Sequence, residues 1–458
     1  MILKHFSLIK NNLLAGLVAI ALLATGCNKD AEETTPVAPA AETTPVIAYL
    51  TSTTAQSGGV ITNLGTAFTV TASGVCWSST NQTPTTADSK TSDGTNAAFK
   101  SGLTGLTPNT KYYVRAYIQN EAGTGYGNVV TFTTSTGTAD TTVTVSTLAG
   151  NSTAGFTNGT GTNASFSSPQ GTAVDAQGNV YVSDSFNHVI RKITGAGVVT
   201  TFAGTGELGF NGGITTTAKF YSPQGIAVDA TNNIYVADQG NNAIYKITTA
   251  GVVSILAGNG TAGATNGTGS AATFNSPQGL AVDAQGNVYV ADRNNHRIRK
   301  ITSAGVVTTL TGTGAAGYIN GEGSVAAFNR PTGVAVDAQG NLFVADQSNF
   351  AIRKVTAAGV TSTLLGTSVV TDLLNTPTGV TLDAQGNLYI TDQSGRILKI
   401  TSTNVLYTLA GKANTTGFLD GTKTTALFSS PVGIAVDANK NLYIADYNNN
   451  RIRKVVVQ

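Results

Sequence analysis

Twelve of the 24 acidic residues in this 458-residue chain fall in two regular series. One is Asp175, Asp229, Asp283, Asp337, Asp383 and Asp437; the other is Asp184, Asp238, Asp292, Asp346, Asp392 and Asp446. Carboxylates at fixed spacing could work as acid and base, or as oxygen ligands for a calcium-like ion. A catalytic group is needed once, however, whereas a residue written six times is needed by six copies of a structural unit. Asp near Gly, Asn or Ser at a strand end accepts backbone N–H bonds in a turn. Both series therefore read as frame. Beyond the leader, the chain has two histidines, His188 and His296. They cannot make a three-histidine zinc site. A nucleophile elbow, a P-loop and a metalloprotease helix are all absent from the sequence. The expectation is a chain with no cofactor, no metal and no enzymatic activity.

The elements that carry the two series are the repeats themselves. Copies begin at Pro169, Pro223, Pro277, Pro331, Pro377 and Pro431, at intervals of 54, 54, 54, 46 and 54 residues. Each holds P-x-G, an apolar run ending in Asp, a second run ending in Asp, and a third ending in I/L-x-K-I/V. Segments such as Val198 to Gly204 supply a fourth strand. Four-stranded units repeated about a ring make a β-propeller. The last copy stops after its third strand, and Thr142 to Gly150 reads as a fourth strand without its first three. One completes the other, so six blades close through the N-terminal strand and leave no bare edge.

In an up-and-down blade, the second-to-third and blade-to-blade connections share one face. There the copies diverge, and specificity needs individuality. The candidate ligand-binding residues are Phe186, His188, Arg293, His296, Phe350 and Tyr447 in short loops, and Arg330 in a long one. Phe156, Phe210, Tyr318 and Phe418 recur at one place in four long loops and read as buttresses. The fifth long loop, Gly366 to Pro377, is eight residues shorter, which predicts a notch in the rim. The opposite face carries tight turns copied almost unchanged.

These residues resemble NHL repeats over about 315 residues. The resemblance implies an all-β, six-bladed interaction platform over 142–458, binding a glycan or a protein at its loop face. An alternative it leaves open is a lactonase- or lyase-type propeller enzyme using a calcium-like carboxylate site. A purely structural or adhesive spacer is a third.

Composition agrees with an all-β reading. Asp, Glu, Lys and Arg together make 11% of the chain, against roughly 25% in an ordinary domain. Gly alone accounts for 53 residues. A formal charge of +2 offers no field for a polyanion, so nucleic acid is not an expected partner.

Residues 1–26 pair a short basic start with the apolar run Leu13 to Ala24, too short to span a bilayer. Ala24-Thr25-Gly26-Cys27 resembles the lipobox of bacterial lipoproteins. That resemblance implies cleavage before Cys27, its acylation (palmitate among the chains) and a membrane held through lipid. Asn28 to Glu33 resembles the acidic export signal of surface lipoproteins, which implies the outer membrane, facing the exterior. Residues 27–45 then read as an acylated cysteine with an acidic, Pro-rich stalk. Over 46–136, short alternating strands end in Leu106-Thr107-Pro108-Asn109-Thr110-Lys111-Tyr112-Tyr113-Val114. That run resembles fibronectin type III domains, which implies a small β-sandwich with Tyr112, Val114 and Ala116 in its core.

Overall fold

The structure is a computed structural model that describes residues 37–65, 69–136, 142–366 and 373–457. Cys27, the leader 1–26 and residues 27–36 lie outside the described residues.

Six blades, each built on four antiparallel strands within a larger sheet, make the propeller. Blade 1 runs Pro169–Val174, Val180–Asp184, Val189–Ile193 and Val198–Ala203; blades 2 to 5 repeat it from Pro223, Pro277, Pro331 and Pro377. Blade 6 supplies Pro431–Val436, Leu442–Asp446 and Arg451–Val457, and Val143–Ala149 is its fourth strand, with Val145 opposite Val455. The ring therefore closes by pairing the two ends of the propeller segment, which satisfies backbone groups that an open edge would expose. Helix among the described residues is confined to six single 3-10 turns.

The core lies between blades rather than within one. Val180 and Val182 of blade 1 pack with Tyr443 and Ala445 of blade 6, because alternate strand residues face opposite neighbours. At the axis, the third residue of each copy must be Gly. A Cβ on Gly171 would collide with the carbonyl oxygen of Gln224 in blade 2, and one on Gly433 with that of Gln170 in blade 1. The same collision in each blade explains the P-x-G signature.

Each long loop also adds a two-residue strand along the outer edge of the blade it enters: Gly159–Thr160 beside Val198 and Val199 in blade 1, for example. Blade 5 has none among the described residues, for its entering loop is the shortened one. The N-terminal domain fills the position instead. Ile47 and Ala48 pair in parallel with Val405 and Leu406, the residues equivalent to Val198 and Val199. The sheet of blade 5 thus continues into the first domain. Val46 and Ala48 join Leu373 and Leu374 in one buried cluster, so the expected notch is occupied on its outer side.

That domain has two antiparallel sheets, one holding Ala40–Thr43, Ala55–Asn63 and Ala98–Leu103, the other Ala72–Ser78, Lys111–Asn120 and Val130–Thr133. Tyr112, Val114 and Ala116 are buried against Val75, Phe99 and Phe132. Ala40–Thr43 corrects the expected stalk over 27–45: it pairs with Ala55–Asn63, and Thr43 Oγ1 accepts from the Ala116 amide at 2.9 Å and donates to the Asn128 carbonyl. The strand reads Ala-Ala-Glu-Thr, with exposed Ala40 and Glu42 alternating with the more buried Ala41 and Thr43, a pattern hidden by the surrounding prolines and acids.

Candidate functional site

The repeated acids do structural work, as their partners show. In the first series, Asp175 Oδ1 accepts from the Gln177 and Asn179 amides, and Oδ2 from Asn179 Nδ2 and the Tyr181 hydroxyl. Burial, then the charge of Asp175, pushes the Tyr181 hydroxyl up to about 12. The second series is buried. Asp184 accepts from the Ser167 amide, Asn187 Nδ2 and Arg191 Nη1, and Arg191 also donates to the Ser165 and Thr157 carbonyls. This ion pair is repeated at Asp292–Arg299, Asp346–Arg353 and Asp446–Arg453. Four of these acids are more than turn residues, then: Asp184, Asp292, Asp346 and Asp446 each anchor a buried arginine that ties down a long loop. Phe156, Tyr318 and Phe418 lie over those guanidinium groups, while Phe210 meets Tyr245 edge-on.

Blades 2 and 5 depart from this device. Tyr245 stands where the arginine would, opposite Val236, and Asp238 is left with the Tyr221 amide and Asn241. Burial without a cation pushes Asp238 up to about 7. Blade 5 is one residue shorter after Asp392, and Arg396 reaches that acid from a different register position.

Two openings lie on the axis. The one on the face of near-identical turns is a cavity of about 290 Å³ lined by repeated small and aliphatic residues such as Ala173, Val174 and Val228. The one on the opposite face, where copies diverge, is a cavity of about 400 Å³. Its floor is the glycine ring. Its walls are the middle residues of P-x-G (Gln170, Gln224, Gln278, Thr332, Thr378 and Val432) and the residues after the second Asp in three consecutive blades and in blade 6: Arg293, Gln347, Gln393 and Tyr447. Neither Asp, Glu nor His lines it. Arg293 is its one charged side chain, with Nη2 at 3.4 Å from Gln347 Oε1. Burial and the nearby charge of Arg330 both press against the charged form of Arg293.

The seven candidate residues separate here. Arg293 and Tyr447 line the mouth. His188 and His296 are inter-blade clamps: Nδ1 of each accepts the amide of the residue before the next blade, Ser222 or Arg330, at 3.1 and 3.0 Å. Asn242 and Asn450 make the same bond in blades 2 and 6. Both histidines adopt the left-handed conformation that asparagine also tolerates, with φ of 56° and 52°. Burial lowers the pKa of each, with Arg330 and Arg293 adding to the effect at His296. Phe350 takes the equivalent left-handed place in blade 4, half-buried. Phe186 is exposed and Arg330 stands at the rim, neither lining the cavity. The glutamine wall was the part missed. Its signal was the variable residue beside an obligatory glycine.

Comparison with known proteins places the repeats. The NHL repeat profile matches residues 166–193, 220–246, 274–301, 328–355 and 428–455. The domain is an NHL-repeat β-propeller. Blade 5 is the one the profile does not match, in keeping with its shortened turn and displaced arginine. Protein SUPPRESSOR OF QUENCHING 1, chloroplastic, of Arabidopsis thaliana is 31% identical over 46% of this chain and 22% of its own length. NHL repeat-containing protein 2 of Bos taurus is 27% identical over 63% of this chain and 39% of its own. The chain thus spans well under half of either relative. Among solved structures, a Bacteroides thetaiotaomicron structural genomics protein aligns over 94% of this chain and all of its own, at TM-score 0.54 and 17% identity. An auxiliary nutrient binding protein from Bacteroides ovatus covers 92% of this chain and 98% of its own, at TM-score 0.52 and 15% identity. Coverage that wide includes the N-terminal domain, so the NHL propeller and its partner domain share a recurrent fold. The expectation of no enzymatic activity needs correction. A streptogramin B lyase (TM-score 0.46, 14% identity, 69% of this chain and 98% of its own) and a gluconolactonase from Xanthomonas campestris (TM-score 0.47, 15% identity, 70% and 96%) are also structural neighbours. A fold does not decide between catalysis and binding, so the absence of activity does not stand.

Proposed function

We propose that the NHL propeller is a binding module that takes a glycan or a protein segment at the mouth of its central channel. The observation that carries this reading is the pairing of a cavity of about 400 Å³ with side chains that differ from blade to blade. Concave sites with a few placed polar groups are where ligands bind. Tyr447 offers an aromatic face for stacking, Arg293 a charged fork, and the glutamines both donors and acceptors. The opposite opening repeats the same aliphatic residues and offers little to discriminate.

The wider setting is part of the same proposal. Acylated Cys27 would hold the protein at the outer membrane, presenting the propeller to the exterior. The first domain is read as fibronectin type III-like, with the Tyr112 hydroxyl accepting the Thr107 amide at 2.9 Å in the manner of that family's corner tyrosine. Its strand at blade 5 would set the propeller's orientation. The test is a glycan-array and peptide-array screen of the full chain, repeated with Tyr447→Ala. Loss of the leading signal in that variant, at an unchanged melting temperature, supports the reading; retention of the full signal refutes it.

A further inference from the structure

The arginines of this propeller are not alike. Arg191, Arg299, Arg353 and Arg453 each lie 2.8 Å from a buried aspartate, and Arg396 meets Asp392. Among the described residues, Arg293, Arg297, Arg330 and Arg451 make no such ion pair, and of these only Arg293 lines the mouth. Half-buried there, it meets a neutral amide at 3.4 Å. The charged neighbour that acts on it is another cation, Arg330. Removing a guanidinium from water without a counter-ion is unfavourable, and a fold tolerates it where something else provides the anion. The remaining groups say what that anion is attached to. Gln278 and Gln347 flank Arg293, with Thr332 beyond them and Tyr447 across the ring. Amides and hydroxyls match a hydroxyl-rich molecule, and a planar guanidinium matches a carboxylate through two parallel bonds. No carboxylate lines the cavity to repel it.

Resting on the reading of the mouth as the binding site, we propose that its ligand is an acidic carbohydrate whose carboxylate docks on Arg293 while neighbouring hydroxyls bond to the glutamine wall. Gln347 steers the guanidinium toward the axis. Arg330, at the rim before blade 4, adds positive potential along the approach, so association weakens as salt rises.

The experiment is calorimetric titration of the full chain with oligomers of galacturonate, glucuronate and mannuronate, their methyl esters, and sodium acetate. Methyl esterification keeps the hydroxyls and removes the charge. At least one acid oligomer is expected to bind, its ester at least tenfold more weakly, and acetate not measurably below millimolar concentration. Arg293→Gln, with its melting temperature checked, should weaken the acid at least tenfold and leave the ester unchanged. Equal binding of acid and ester, or an Arg293→Gln variant that keeps the acid affinity, overturns the proposal, as does failure of every acid oligomer to bind. The underlying reading fails separately: neutral oligosaccharides that bind and are lost on Tyr447→Ala sustain the mouth without the anion, whereas binding lost only on Gln177→Ala, on the opposite face, moves the site altogether.

Discussion

The backbone N–H of Ile47 donates to the carbonyl oxygen of Asn404 at 2.9 Å, joining the N-terminal domain to the outer edge of blade 5. Every other blade has that edge covered by its own loop or, in blade 6, by Gly421–Thr422 beside the closing strand. The deletion in loop five and the docking of the first domain are two halves of one arrangement. Ile47 is fully buried there, with Val405 in the same cluster. Ile47→Ala should lower stability by about 3 kcal/mol, and hydrogen exchange at 405–407 should quicken while the same strand of blade 3 is unchanged. Equal protection in both blades would show that the edge does not depend on the domain.

Closure by the first propeller strand predicts a global effect from a local deletion. Val143 and Val145 are buried against Val455 and Ile444. Removing 143–149 forfeits on the order of 3–5 kcal/mol of burial from these two side chains alone and opens the ring. Calorimetry should show a lower, broader transition for the whole propeller, rather than the loss of a small separate one.

Arg353 and Asp346 are both fully buried at 2.8 Å. Arg353→Met leaves a buried carboxylate uncompensated and should cost about 3–5 kcal/mol. Adding Asp346→Asn should recover part of that loss, since the neutral amide tolerates the vacancy better. A double-mutant cycle measures the coupling.

Asp238, which has no cation beside it, contributes its own pH dependence, on top of the upward push that burial gives Asp184, Asp292, Asp346 and Asp446. Burial holds Asp238 at about 7 in the folded state, against about 3.9 unfolded. The folded chain therefore binds more protons between those values, and stability from this group falls as pH rises from about 4 to 7, by up to about 1.4 kcal/mol per unit. Above pH 7 the contribution is flat. Asp238→Asn should remove that slope; a wild-type melting curve of the same slope as the variant across this window would contradict the assignment.

Much of this was legible in the sequence, and the exceptions are instructive. Six prolines at regular intervals gave the blades, and Val145 at the chain's early strand gave the closure, because repeats expose structure that a single copy hides. The buried arginines were missed although Arg191, Arg299, Arg353 and Arg453 recur seven residues after an aspartate. Their I-R-K-I setting reads as an exposed strand face, and burial is a property of the long loop folded over it. The docking strand Ile47–Ala48 was invisible for a related reason: two residues carry no periodicity. At the mouth, Arg293 and Tyr447 were found by divergence among copies, whereas the glutamine wall lay inside the most regular motif.

The central claim is that the channel mouth on the divergent face holds the ligand. The direct measurement is a crystal structure of the full chain soaked with the strongest binder from the array screen. The account predicts density in the cavity between Gln278, Arg293 and Tyr447. Density on the opposite opening, or on the N-terminal domain with the mouth filled by water, would contradict it.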